Sequence, residues 1–172
     1  ILTLVSQSNV RRAKEVYRYL VDNGHYYHQY IPCVEFDAEG NRLPFAITAE
    51  EWGEFMCEIF DQWYPDDSYK ISVRHFDSTI MKLVNGQTNV CSMARDCRQY
   101  FVVEHNGDIY PCDFYVRPEL KLGNIFDTTW QEAQESKLYH DFGTMKTKWH
   151  SECDNCDCLD MCSGDCLKHR NY

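Results

Sequence analysis

Seven of the ten cysteines fall into two spaced sets, and that spacing constrains the fold more than any other feature of the chain. Cys91, Cys97 and Cys112 form the first set, with Gly107 between the last two; Cys153, Cys156, Cys162 and Cys166 form the second. Counted from Cys97, the pattern is C-x9-G-x4-C, forty residues, then C-x2-C-x5-C-x3-C. Thiolates repeated at such short intervals converge on folding, and a convergent thiolate shell suits a soft metal or an iron–sulfur group. A C-x2-C pair sets two sulfurs on one tight turn, a spacing common to zinc and iron–sulfur sites. A four-cysteine zinc site at Cys153, Cys156, Cys162 and Cys166, with His150 or His169 as substitutes, leaves Cys91, Cys97 and Cys112 over. The surplus points to two sites, for which the chain offers these seven ligands and Cys158.

A disulfide framework is the competing use of ten cysteines. Here they crowd into the second half, while the first half patterns as ordinary helix and strand with its own core. A formal net charge of -10 excludes the basic footprint that non-specific nucleic-acid binding needs. No apolar run approaches membrane-spanning length and no signal peptide is visible, so a cytoplasmic protein with no membrane partner is expected. At 172 residues, 44% hydrophobic, the chain has room for one domain, or a small domain plus part of another. It starts at Ile1 rather than methionine, which suggests a fragment.

Residues 1–90 alternate helix and strand signals. Asn9 is placed to cap a helix with the apolar stripe Val10, Ala13, Val16, Tyr17, Leu20 and Val21, and Gly24 is its stop. Tyr26 to Val34 patterns as a buried strand, and residues 37–45 as an excursion loop. Thr48 and Glu51 form a capping box for a helix burying Trp52, Phe55, Met56, Ile59, Phe60 and Trp63. Ile71 to Phe76 is a further strand and Asp77 to Leu83 a short helix. Cys33 and Cys57 are expected to be buried small apolar residues. This order suggests parallel strands with crossover helices, and too few of them to close a barrel. From Cys91 the character changes. Tyr100 to Glu104 and Asp108 to Cys112 flank His105-Asn106-Gly107, a hairpin signal in which Asn and Gly both accept positive φ. Pairing these strands brings Cys97 and Cys112 to one end of the ribbon. Residues 122–125 are expected to turn into a helix capped by Asp127 or Thr128, with another helical piece from Leu138 to Lys148.

The cysteine spacing, with Cys91 six residues before Cys97, resembles the SPASM domain attached to radical S-adenosylmethionine enzymes. The stretches His105 to Asp113, Leu122-Gly123-Asn124-Ile125, Gln29-Tyr30-Ile31-Pro32 and Thr48 to Gly53 resemble one branch, the anaerobic sulfatase-maturating enzymes. The resemblance implies an α/β fold: the last strands and helices of a partial (β/α) barrel in residues 1–90, then a small α+β SPASM domain in 91–172. It implies oxidation of a cysteine or serine in a sulfatase polypeptide to Cα-formylglycine. It also implies two auxiliary 4Fe–4S clusters, one on Cys91, Cys97, Cys112 and Cys166. The other would use Cys153, Cys156 and Cys162 with a further cysteine downstream. Asp113 matches the residue that takes the substrate proton. The radical-generating C-x3-C-x2-C motif is not in these 172 residues, so S-adenosylmethionine and a third cluster would belong to a preceding part. Leu167 stands where the family often has proline. Two other functions fit the same cysteines: a SPASM-bearing maturase of a different peptide, and a non-catalytic zinc module.

Overall fold

Parallel pairing organises the first part of the chain. In the computed structural model, which describes residues 1–170, strand β1 (Leu2–Val5) pairs with β2 (Tyr27–Pro32), and β2 pairs with β3 (Ser72–Val73). Both pairings are parallel and the order is β1-β2-β3. Parallel neighbours need a crossover. Helices α1 (Ala13–Asp22) and α2 (Ala49–Trp63) supply the two crossovers, and α3 (Arg74–Asn85) follows β3 directly. Strand β1 was not expected, although Leu-Thr-Leu-Val is an apolar, β-branched run; its shortness at the start of the chain hid it.

Each helix boundary has a local cause. Thr48 accepts from the Glu51 backbone N–H, and the Glu51 carboxylate accepts from the Thr48 N–H, so the capping box forms as expected. At Gly24 the backbone turns left-handed at φ 75°, and the N–H groups of Gly24 and His25 close on Val21 and Leu20. The start of α1 differs from expectation. Asn9 does not cap it; its side chain accepts from the Ser6 N–H and donates to the Leu4 carbonyl, shaping the turn before the helix. Helix α3 begins at Arg74, three residues early, because β3 pairs over only two residues.

The buried face of this part comprises Val5, Ala13, Tyr17, Leu20, Tyr30, Phe55, Ile59, Trp63 and Val73. Trp63 donates its indole N–H to the Ile71 carbonyl at 2.7 Å, which ties α2 to the approach to β3. Tyr17 donates to Asp67 at 3.0 Å. His28 is buried; its Nε2–H donates to the His25 carbonyl, so Nδ1 accepts from the Tyr30 hydroxyl. Two expectations fail here. Phe60 is exposed and stacks on Tyr64, and Cys57 is exposed because it lies off the face carrying Phe55, Met56 and Ile59. Cys33 is buried as expected.

Backbone packing separates two units, Ile1–Gln87 and Thr88–Tyr172. In the second, β4 (Val102–Val103), β5 (Asp108–Tyr110) and β6 (Gly123–Asn124) form an antiparallel sheet in that order. Helices α4 (Trp130–Glu135), α5 (Lys137–Thr144) and α6 (Leu159–Cys162) follow. The fold class is mixed α/β, with two small open sheets.

The second unit corrects three local readings. Gly107 alone takes positive φ, at 86°; Asn106 does not, and the Glu104 carbonyl accepts from the Gly107 N–H at 2.8 Å. The hairpin forms around His105-Asn106-Gly107 as expected, with the loop ending in one left-handed glycine. Residues 123–124 are a strand, since Leu122 donates to the Ile109 carbonyl in β5 and Ile125 to the Gly107 carbonyl just before it. Neither glycine nor asparagine favours strands, so only the pairing reveals it. Thr129, not Asp127 or Thr128, caps α4, in a second capping box with Glu132. Replacing Thr48 with alanine removes the hydroxyl that accepts from the Glu51 N–H, keeps the backbone N–H that donates to the Glu51 carboxylate, and should lower unfolding free energy by about 1 kcal/mol. A urea titration checks this; an unchanged midpoint would mean that the α2 terminus draws its order from packing alone.

Candidate metal centre

The hairpin delivers two of the thiols. Cys97 precedes β4 and Cys112 follows β5, and the register Val102↔Tyr110 and Val103↔Ile109 brings the two ends together. Ile109 and Tyr110 of β5 are buried, and Phe101 packs on Tyr139 with ring centres 4.7 Å apart. Tyr139 donates to the Tyr100 carbonyl at 3.0 Å, and the Cys97 N–H donates to the Gly143 carbonyl at 3.3 Å, so α5 holds the base of the hairpin. Cys91 opens the 3-10 turn Cys91–Met93. Cys166 arrives from the far end of the chain. Its loop is fastened by Ser163, left-handed at φ 53° and buried, whose hydroxyl donates to the Met93 carbonyl at 3.0 Å. Arg170 completes the fastening. Its guanidinium donates to the carbonyls of Gly164 (2.6 Å), Lys146 (2.9 Å), Asp165 (3.1 Å), Lys148 (3.3 Å) and Ser163 (3.4 Å).

These four thiols act on one another. Burial pushes the Cys97 thiol up from its ordinary value; Lys146 opposes the shift, and Cys91 and Cys112 add to it. Burial likewise raises Cys112 to about 11, with the Phe114 N–H and the Tyr100 hydroxyl pulling back and Asp113 adding. Cys166 is pushed up to about 11 by burial first, then by Asp165, Cys91 and Cys97. The mutual effects put Cys91, Cys97, Cys112 and Cys166 in one neighbourhood. Burial makes a bare thiolate costly there, so a cation or cluster that displaces the protons is favoured.

The second set lies on a more exposed loop. Cys153 sits in the 3-10 turn Ser151–Asn155, Cys156 follows one turn later, and Cys162 ends α6. The Cys156 N–H donates to the Cys153 carbonyl at 3.1 Å, the tight turn expected of a C-x2-C pair. Cys162 is raised by burial and then by Asp165, and Cys153 adds to the shift, so these two thiols are neighbours. Cys156 and Cys158 are exposed. His150 and His169 are engaged elsewhere: His150 accepts from the Glu152 N–H, and His169 pairs with Asp165 at 2.8 Å. Among the described residues, no three Cys, His, Asp or Glu side chains close tightly enough to grip a single metal ion.

Asp113 is exposed beside Cys112. Its Oδ1 accepts from the Tyr100 hydroxyl at 3.1 Å and from the Cys112 thiol at 3.3 Å. Tyr100 also lies 3.6 Å from the Cys112 sulfur. Burial raises the Tyr100 hydroxyl far above its ordinary value, so it is a fixed donor at neutral pH. Sequence reasoning missed Tyr100, although it stands three residues after Cys97. It also missed Lys146, which is fully buried and donates from Nζ to the carbonyls of Cys91 (2.5 Å) and Ser92 (2.7 Å). No motif marks either residue.

The donor set fits an iron–sulfur group: four soft thiols from separate segments, partly buried, with a cation behind them. The comparisons agree. Residues 91–157 match the SPASM family, an iron–sulfur cluster-binding domain. The chain is 36% identical to a serine-type anaerobic sulfatase-maturating enzyme of Bacteroides thetaiotaomicron, over 98% of its own length and 45% of the relative's. It is 32% identical to a cysteine-type enzyme of Clostridium perfringens, over 99% and 47%. The solved structure of native anSMEcpe with bound AdoMet superposes with a TM-score of 0.85 at 32% identity, covering 98% of this chain and 47% of that one. The chain is thus related throughout to the C-terminal part of anaerobic sulfatase-maturating enzymes, and spans rather less than half the length of the curated relatives it matches.

Gly143 lets this base close. A β-carbon there would stand 2.5 Å from both Arg98 Cγ and Asp96 Oδ1, the pair that flanks Cys97. Gly143→Ala should therefore cost about 1 kcal/mol net, overpacking of ~1–3 kcal/mol being offset in part by alanine's helix preference. Chemical denaturation measures it. A gain in stability would show that the Asp96–Arg98 pair swings away freely.

Proposed function

We propose that this chain is the auxiliary-cluster part of a radical S-adenosylmethionine enzyme that oxidises a cysteine or serine of a sulfatase to Cα-formylglycine. The convergence of Cys91, Cys97, Cys112 and Cys166 from three separated stretches, in a chain 36% identical to a known maturase, carries the reading. In this reading those four thiols hold one 4Fe–4S cluster. Cys153, Cys156 and Cys162 supply three sulfurs to a second, and Cys158 stands beside them. Residues 1–90 are then the last strands and helices of a (β/α) barrel. Among the described residues no helix is long and apolar enough to cross a membrane, and a polypeptide substrate is expected. Two solved structures of anSMEcpe carry bound Kp18Cys and Cp18Cys peptides, and the relatives include serine and cysteine types.

When bound, a cluster here would supply a sink for one electron, while hydrogen-atom abstraction would belong to S-adenosylmethionine and the cluster of the preceding part. The residues of this chain do the rest. Oxidising a Cβ–OH or Cβ–SH group to the aldehyde level also releases a proton, and Asp113 is the carboxylate positioned to take it. Tyr100 holds Oδ1 in place. The adjacent Cys112 keeps the base beside the electron sink, so proton and electron leave from one spot.

In the intact enzyme, Asp113→Asn should leave iron and sulfide content unchanged while formylglycine formation falls ~10²-fold or more. Mass spectrometry of a substrate peptide measures this, and wild-type turnover would remove Asp113 from the mechanism. Cys97→Ala should cost the iron of one site and spare the other, read by iron and sulfide analysis. Equal loss at both would mean that the two thiol sets fold as one unit. A colourless protein holding one zinc per chain after anaerobic preparation would overturn the cluster reading itself.

A further inference from the structure

Lys146 is the one lysine among the described residues that is fully buried, in the short 3-10 turn Met145–Thr147. A buried ammonium is costly unless polar groups replace its lost water. Two of its three N–H donors go to carbonyls at Cys91 and Ser92, which anchors the turn carrying a first-set thiol. The third meets no acceptor among the described residues. Burial pulls the Lys146 ammonium below its ordinary pKa, and Cys97, Cys166, Cys91 and Asp165 act against that shift. Asp165 is itself paired with His169 at 2.8 Å. A cation has thus been buried, at a cost, against the Cys91 backbone and within electrostatic reach of Cys91, Cys97 and Cys166.

We propose that Lys146 is a positioning residue that supplies a fixed positive charge to the group held by Cys91, Cys97, Cys112 and Cys166, and so raises its reduction potential. The physical reason is simple. Reduction adds negative charge to an already anionic thiolate-bound group, and a nearby cation in a poorly solvated site stabilises the reduced form more than the oxidised one. The effect is directed at this site, because the ammonium grips the Cys91 carbonyl and acts on Cys97, Cys166 and Cys91. The inference rests on the cluster reading above.

The test uses the intact, anaerobically prepared enzyme, with redox titration followed by electron paramagnetic resonance and with iron analysis. Lys146→Gln keeps a donor for the carbonyls and removes the charge. It should retain iron and shift one auxiliary midpoint to more negative potential, leaving the other in place. Full iron with both midpoints unmoved overturns the proposal. If Lys146→Gln loses iron from the first site, Lys146→Arg decides. Recovery of iron and of the wild-type midpoint supports the charge, and persistent loss overturns it in favour of a packing role. Absence of any cluster signal in the wild-type enzyme would instead overturn the underlying reading, so the two failures are distinct.

Discussion

Backbone carbonyls gripped by a buried ammonium, a half-buried guanidinium and one hydroxyl hold the second unit's thiols together. Lys146 closes the Cys91–Ser92 turn, Ser163 reaches the Met93 carbonyl, and Arg170 gathers carbonyls from residues 146–148 and 163–165. Each charge-assisted bond contributes about 1.5–3 kcal/mol at best, and losing a donor would strand buried acceptors at comparable cost. The cysteine loop has few apolar residues of its own, so this polar clasp does what a hydrophobic core does elsewhere. It also explains why thiols seventy-five positions apart, Cys91 and Cys166, can share one neighbourhood.

The first unit solves its problem differently. Apolar faces of α1 and α2 bury Tyr17, Phe55, Ile59 and Trp63 against a three-stranded parallel sheet, and the polar groups that enter are individually satisfied. His28 is one such group. Its ring bridges the His25 carbonyl and the Tyr30 hydroxyl, so a histidine within an aromatic run is core, not ligand. Tyr26 and Tyr27, from the same run, are exposed.

How legible each element was follows from how local its cause is. The Thr48 capping box, the Gly24 stop and the C-x2-C turn are made by residues a few positions apart, and each was readable in advance. Strand β6 and the boundary between β3 and α3 were not, because their hydrogen bonds run to residues far along the chain. Thr129 shows a third kind of miss. Its capping box with Glu132 is local, but Asp127 and Thr128 offered equally plausible caps nearby.

At the site, cysteine spacing named the seven thiols, because ligand type and interval are properties of the chain as written, and the family resemblance singled out Asp113 next to Cys112. The folded chain decided the surroundings: that Tyr100 donates to Asp113, that Gly143 admits the Asp96–Arg98 pair, and that a lysine lies buried behind the first thiols. A side chain's charge is known from its identity, but its solvent and its neighbours are not. Those depend on which distant segments exclude water from it, and that is settled only by tertiary packing.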